Sequence, residues 1–163
     1  MTYLGGYTMA GLNAEHINPF LIASTKILKD MCFVDVKIGK PYVKSTDFTA
    51  DTLVIMIGIT GEIRGQAMIA IPNNVACDIA SKMIMMPVTQ LDELSTSAVC
   101  ELGNMIMGNT ATIFSTKGIG IDITPPTLCT GNVSFTNNYT QNICIPLQYD
   151  ETRAIEINVA IKD

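Results

Sequence analysis

The segment DTLVIMIGITGEIRGQAMIAIP, residues 51–72, contains two apolar runs that are joined by Thr60-Gly61-Glu62. Apolar runs of this length are typical of strands, and a short connection that contains glycine is typical of a β-hairpin. The segment therefore predicts two antiparallel strands, and the neighbouring parts of the chain must supply the elements that cover them.

The residues before this hairpin predict one helix and one further strand. Asn18 is a good N-cap and Pro19 a good first helical residue, so we expect a helix over residues 18–31. Residues 33–43 form another strand-like run, in which Val34-Asp35-Val36-Lys37-Ile38 alternates as a half-buried strand does.

Two helices are predicted after the hairpin. The first, over residues 73–85, would be capped by Asn73 or Asn74 and ended by Pro87. A much longer helix is expected from about residue 89 to residue 117, where glycines stop it.

Strand-like runs follow the long helix at residues 120–128, 132–137, 142–150 and 154–163. A helix, three strands, two helices and then more strands is the order of a single α+β domain. We therefore expect a mainly antiparallel sheet that is covered by helices.

A faint internal repeat refines this prediction. Glu15-His-Ile-Asn18 is followed by a helix, an alternating strand and Pro41, and Glu101-Leu-Gly-Asn104 is followed in the same order by a helix, a strand and Pro125-Pro126. The repeat suggests that the domain is built from two similar half-domains.

Length and composition favour one globular domain. The chain has 163 residues, of which 48% are hydrophobic and 15% charged, so a disordered chain is excluded. No apolar run is long enough for a membrane-spanning helix. Residues 1–12 do not have the pattern of a secretory signal, and we expect them to be a tag or a disordered tail before a domain at residues 13–163.

The charges and the reactive residues exclude several classes of function. A net charge of −5 with scattered basic residues argues against nucleic acid or an anionic membrane as the partner. Five cysteines without a C-x-x-C spacing predict free thiols in a reducing cytoplasm. With His16 as the only histidine, neither a His-rich metal site nor catalysis on a histidine base is expected.

The long helix contains a lane without large apolar residues between Ser97 and Thr112. At about 100° per residue, one set of apolar side chains falls on each side of this lane. The five residues of this polar lane lie within roughly 80° of one another: Ser97, Glu101, Asn104, Gly108 and Thr112. Glu101 and Asn104 are helical neighbours, so their polar groups can reach one small target together.

Glycine decides between two interpretations of the polar lane. A solvated stripe would not need Gly108, because glycine inside a helix costs about 1 kcal/mol relative to alanine. A surface that another backbone must approach closely would need it. We expect Gly108 to belong to a binding site and Gly103 to let the helix pack on its sheet.

These residues carry a resemblance to a known family. Ser97-x-x-x-Glu101-x-x-Asn104, followed by MIMGNTAT at residues 105–112 and by DITPPTL at residues 122–128, resembles the CheC/CheX/FliY family of chemotaxis phosphatases. The likeness extends over the chain from about Asn13 and is strongest to the CheX members.

The resemblance implies a cytoplasmic homodimer that hydrolyses the phosphoaspartate of a CheY-like response regulator. Asn104 would hold and orient the attacking water, and Glu101 would pair with the regulator's lysine. Ser97 and Gly108 would help to bind the partner, with Ser97 hydrogen-bonded to Glu101. This chain would bind no metal or other cofactor, because the regulator supplies Mg²⁺.

Some members of the family have a second motif, for which Glu15 and Asn18 are the candidates here. If Asn18 caps the first helix, Glu15 precedes that helix and cannot stand one turn from Asn18. Ile22 also stands where Gly108 stands relative to Asn104. We therefore expect one site per chain.

Two other classes of function remain open. The polar lane could dock a regulator or a flagellar switch component without hydrolysis. Alternatively, Glu101 and Asn104 could form a buried polar contact between the subunits of a structural oligomer.

Overall fold

The computed structural model describes residues 14–135 and 141–162, so the expected extension at residues 1–12 lies outside the described residues. The described chain has the predicted α+β fold. Its helices are α1 (Ala14–Cys32), α2 (Asn73–Ile84) and α3 (Glu93–Thr116). The strands before α2 are β1 (Lys37–Ile38), β2 (Tyr42–Val43), β3 (Asp47–Phe48), β4 (Thr52–Gly61) and β5 (Arg64–Pro72). Those after α3 are β6 (Ile121–Ile123), β7 (Thr127–Cys129), β8 (Val133–Ser134), β9 (Ile143–Gln148) and β10 (Ala154–Lys162).

The predicted hairpin is formed by β4 and β5, which pair antiparallel from Thr52↔Pro72 to Ile59↔Gly65. Gly61 has φ +113° in the connection, and a Cβ there would come within 2.7 Å of the Gly120 carbonyl oxygen. The glycine in this connection is therefore required both by its left-handed backbone and by close approach.

The sheet has the internal symmetry that the repeat predicts. Its strand order is β1-β9-β10-β5-β4-β6, with β2 also on β9 and β7 also on β4. The short strands β1 and β2 of the first half therefore pair with β9 of the second half, and β6 and β7 of the second half pair with β4 of the first. At the centre of the sheet β5 pairs with β10, and β3 pairs with β8 in a separate two-stranded sheet. Pro41 and Pro126 stand immediately before β2 and β7, the equivalent short strands.

The three helices cover one face of this sheet. The main core joins buried residues of all three helices to alternate residues of the central strands. Phe114 near the end of α3 packs on Phe20 and His16 near the start of α1, with ring centroids 5.8 and 6.4 Å apart. The two helices therefore run antiparallel. A smaller cluster, which includes Phe48, Val54 and Met68, lies on the other face.

The predicted start of the first helix is wrong. The helix already includes Ala14, so Asn18 is an internal residue and not the N-cap, and Pro19 also lies inside the helix. An internal proline removes a backbone hydrogen bond. Burial of Phe20 and Leu21 in the core offsets that loss, because tertiary packing supplies most of a helix's stability in a protein.

The predicted caps of the second helix are also wrong. Pro72 occupies the N-cap position of α2, and no side-chain cap bond is present. Strand β5 runs directly into α2, so Asn73 is already helical and no loop residue is left to cap it. The helix ends at Ile84, before Pro87, because Met85 adopts a left-handed conformation with φ +57°.

Two predicted strands are divided in the structure. Residues 33–43 contain only β1 and β2, which are separated by a bend where the Gly39 N–H donates to the Pro146 carbonyl at 2.8 Å. Residues 120–128 divide in the same way into β6 and β7. The predicted strand at residues 132–137 is short, and its last two residues lie outside the described residues.

Candidate functional site

Helix α3 carries the candidate site and is anchored at its start by a capping box. The Ser95 N–H donates to Asp92 Oδ1 at 2.8 Å, and the Asp92 N–H donates to Ser95 Oγ at 2.7 Å. These bonds hold the pKa of Asp92 below its ordinary value. The helix begins at Glu93, four residues later than predicted, because this D-x-x-S pattern satisfies the first free N–H groups.

The side of α3 opposite the polar lane is buried and the polar lane is not. Val99, Leu102 and Ile106 are buried against the core, as are Met107 and Phe114. In contrast, all five residues of the polar lane are exposed: Ser97, Glu101, Asn104, Gly108 and Thr112. The sequence therefore predicted correctly which side of this helix faces solvent.

The polar groups of the site are free in the described part of the chain. No hydrogen bond or ion pair joins the side chains of Ser97, Glu101 or Asn104 to another described residue, so the expected Ser97–Glu101 hydrogen bond is absent. Ser97 and Glu101 are both exposed, and water competes for such a bond. Thr112 is different, since its Oγ1 donates to the Gly108 carbonyl at 3.1 Å.

The two glycines of α3 have different surroundings. A Cβ at Gly103 would lie 3.0 Å from Ile55 Cγ2 on β4, so this glycine allows the helix to pack on the sheet, as predicted. A Cβ at Gly108 would meet nothing within 4 Å. The space at Gly108 is open, so a partner's backbone could come close to the helix at this point.

The exposed face of α3 is acidic. Glu93 and Glu101 are the charged residues of the helix, which has no lysine or arginine. Such a face favours a cationic group on a partner. Among the described residues no group of His, Cys, Asp or Glu side chains could hold a metal ion, and no helix is long and apolar enough to cross a membrane.

The equivalent pair on α1 is less accessible than the pair on α3, although not because Glu15 precedes the helix, as predicted. Glu15 lies in the first turn of α1 rather than before it, so Glu15 and Asn18 do stand one turn apart. However, Asn18 is only 6% exposed, and its Oδ1 is buried without a hydrogen-bond partner among the described residues. A buried amide cannot reach a partner's phosphoryl group.

Comparisons with known proteins identify the family of this chain. Residues 53–148 match the family model described as chemotaxis phosphatase CheX. The chain is 30% identical over 152 residues to the CheY-P phosphatase CheX of Thermotoga maritima, covering 93% of this chain and 98% of that protein.

Solved structures show the same fold. CheX in a complex with CheY, BeF₃ and Mg²⁺ from Borrelia burgdorferi matches 91% of this chain and 98% of that chain, with a TM-score of 0.79 and 30% identity. A CheC-like superfamily protein from Shewanella matches 93% of this chain and all of that chain, with a TM-score of 0.83 and 26% identity. The protein described here therefore belongs to the CheX family of chemotaxis phosphatases.

Proposed function

We propose that this chain hydrolyses the phosphoaspartate of a CheY-like response regulator at the polar lane of α3. The observation that carries the proposal is the pair Glu101 and Asn104, whose side chains stand exposed and unpaired one helical turn apart. The buried sides of the same helix fix the backbone beneath them. Relatives of this chain include a CheY-P phosphatase and a CheX that forms a complex with CheY.

Asn104 is the proposed water-positioning residue. Its amide can donate one hydrogen bond and accept another, so it can hold a water molecule in line with the bond that breaks. Phosphoryl transfer depends mainly on such positioning and on charge stabilisation. Mg²⁺ is present with CheY in the Borrelia complex, and we place the ion in the regulator.

Glu101 is proposed to pair with a lysine of the regulator. The carboxylate is exposed, and α3 offers no cation that would compete for it. The pair would orient the regulator so that its phosphoryl group faces Asn104. Ser97 would contact the partner beside Glu101, and Gly108 would let the partner's backbone lie against the helix.

The direct test measures loss of phosphate from phosphorylated regulators of the same cell, with this chain at a much lower concentration than the regulator. We expect repeated turnover on one of them, faster than that regulator's own decay and dependent on Mg²⁺. Binding without faster decay would instead indicate a docking module.

We also propose that the protein acts as a cytoplasmic homodimer and that the polar lane is outside its dimer interface. Gel filtration of Glu101→Ala tests the second point. An intact dimer supports an exposed site, whereas a dissociated one would show that Glu101 joins the subunits.

A further inference from the structure

Leu94 is the exposed large apolar side chain of α3. It is 58% exposed, whereas the other large apolar residues of the helix are buried or half-buried. Those residues are Val99, Leu102, Met105, Ile106, Met107, Ile113 and Phe114. Single exposed leucines are ordinary on protein surfaces, so the argument depends on where this one lies.

Leu94 continues the polar lane towards the start of the helix. It precedes Glu101 by seven residues, as Glu101 precedes Gly108, and seven residues is about 20° short of two full turns. The three residues therefore lie on one side of α3. The helical neighbours of Leu94 at the next turn are Ser97 and Ala98, which are too small to cover its side chain.

The size of a protein interface places Leu94 under the proposed partner. A standard interface covers about 800 Å² of each protein, which as a circular patch has a radius of about 16 Å. Leu94 lies about 10.5 Å along the helix from Glu101. A regulator centred on Glu101 and Asn104 would therefore cover Leu94 as well.

We infer that Leu94 is an apolar anchor for the response regulator, and that it contributes to affinity and not to hydrolysis. This inference rests on the proposed function, because the partner is the same. Burial of a leucine side chain removes apolar surface from water, which strengthens the complex without a change in the geometry at Asn104. The regulator should accordingly present an apolar surface about 10 Å from the lysine that meets Glu101.

The test compares Leu94→Ala with Val43→Ala. Alanine keeps the helix propensity of α3. Val43 is the control because it is 48% exposed and lies on β2, which pairs with β9, whereas α3 packs on β4 and β6 in the other half of the sheet. The Kd is measured with the regulator trapped by beryllofluoride and Mg²⁺. The values of kcat and KM are measured from phosphate release by the phosphorylated regulator. Leu94→Ala should raise Kd and KM about tenfold and leave kcat within about twofold, and Val43→Ala should change none of them.

Three other results would overturn the inference. Equal Kd values for the two variants would show that Leu94 is outside the interface. A fall in kcat at an unchanged Kd would give Leu94 a role in the chemistry instead. A lower mass of Leu94→Ala in solution, with regulator binding unchanged, would show that a second copy of the chain covers it. If the wild type binds but does not hydrolyse, a weaker Leu94→Ala complex refutes turnover alone and leaves the anchor standing.

Discussion

Gly103 and Gly108 lie on opposite sides of α3, and only Gly103 is held against the fold. A Cβ at Gly103 would lie 3.0 Å from Ile55, whereas one at Gly108 would meet nothing within 4 Å. The first glycine serves the packing of the helix on β4, and the second leaves a surface open.

A larger residue should therefore affect activity at Gly108 and the fold at Gly103. Gly108→Leu should keep its Tm and its dimer and lose activity, because it adds bulk beside Asn104. Gly103→Leu should unfold the protein, since it collides with Ile55. Gly108→Ala should raise the free energy of unfolding by up to about 1 kcal/mol. Thermal unfolding and phosphate release distinguish these results, and an active Gly108→Leu would mean that the polar lane is only solvated.

Glu101→Gln tests the ion pair with the regulator. The substitution keeps the shape of the side chain and removes its charge. Truncating one partner of a desolvated charge pair costs about 2–5 kcal/mol, so we expect weaker binding and slower turnover at limiting regulator. Glu151→Gln, an exposed residue of the turn before β10, is the control and should behave as wild type. An unchanged rate in Glu101→Gln would refute the pairing.

The pair on α1 should be dispensable for activity. Glu15→Ala and Asn18→Ala are both expected to hydrolyse the regulator at close to the wild-type rate, because the Asn18 amide is buried. Asn18 is not a helix cap, so Asn18→Ala should not cost the stability of a cap. Loss of activity in Glu15→Ala as large as that of Glu101→Ala would indicate a second site.

The sequence predicted the exposed side of α3 because a helical period repeats through 24 residues and identifies a face even when the ends are misplaced. It failed at the helix starts, where the information is local and ambiguous. Asn18-Pro19 has the composition of a helix start, yet the helix begins four residues earlier, and Ile17 of that added turn is buried in the core. The division between β1 and β2 also could not be predicted from the local sequence. Both strands pair with β9, which lies about a hundred residues further along the chain.

Glu156 should make stability dependent on pH in the acid range. Burial disfavours its ionised form, but hydrogen bonds from Lys44 and Tyr42 outweigh burial and hold its pKa below the ordinary value of 4.5. Its contribution is therefore fully present above about pH 4.5 and is lost as the pH falls through the lowered value. Glu156→Gln should unfold more easily at neutral pH and show a weaker acid dependence of Tm than wild type. Equal acid dependence in both proteins would contradict this.

The measurement that tests the central claim most directly is phosphate release by Asn104→Ala, with Asn109→Ala on the same helix as the control. Loss of one group that orients a nucleophile typically costs about 10²–10³-fold in rate. We predict that loss for Asn104→Ala, with its fold, its dimer and its binding of the beryllofluoride-trapped regulator unchanged, and near wild-type activity for Asn109→Ala. Retention of more than about a tenth of wild-type activity in Asn104→Ala would contradict the role of Asn104 and the proposed mechanism with it.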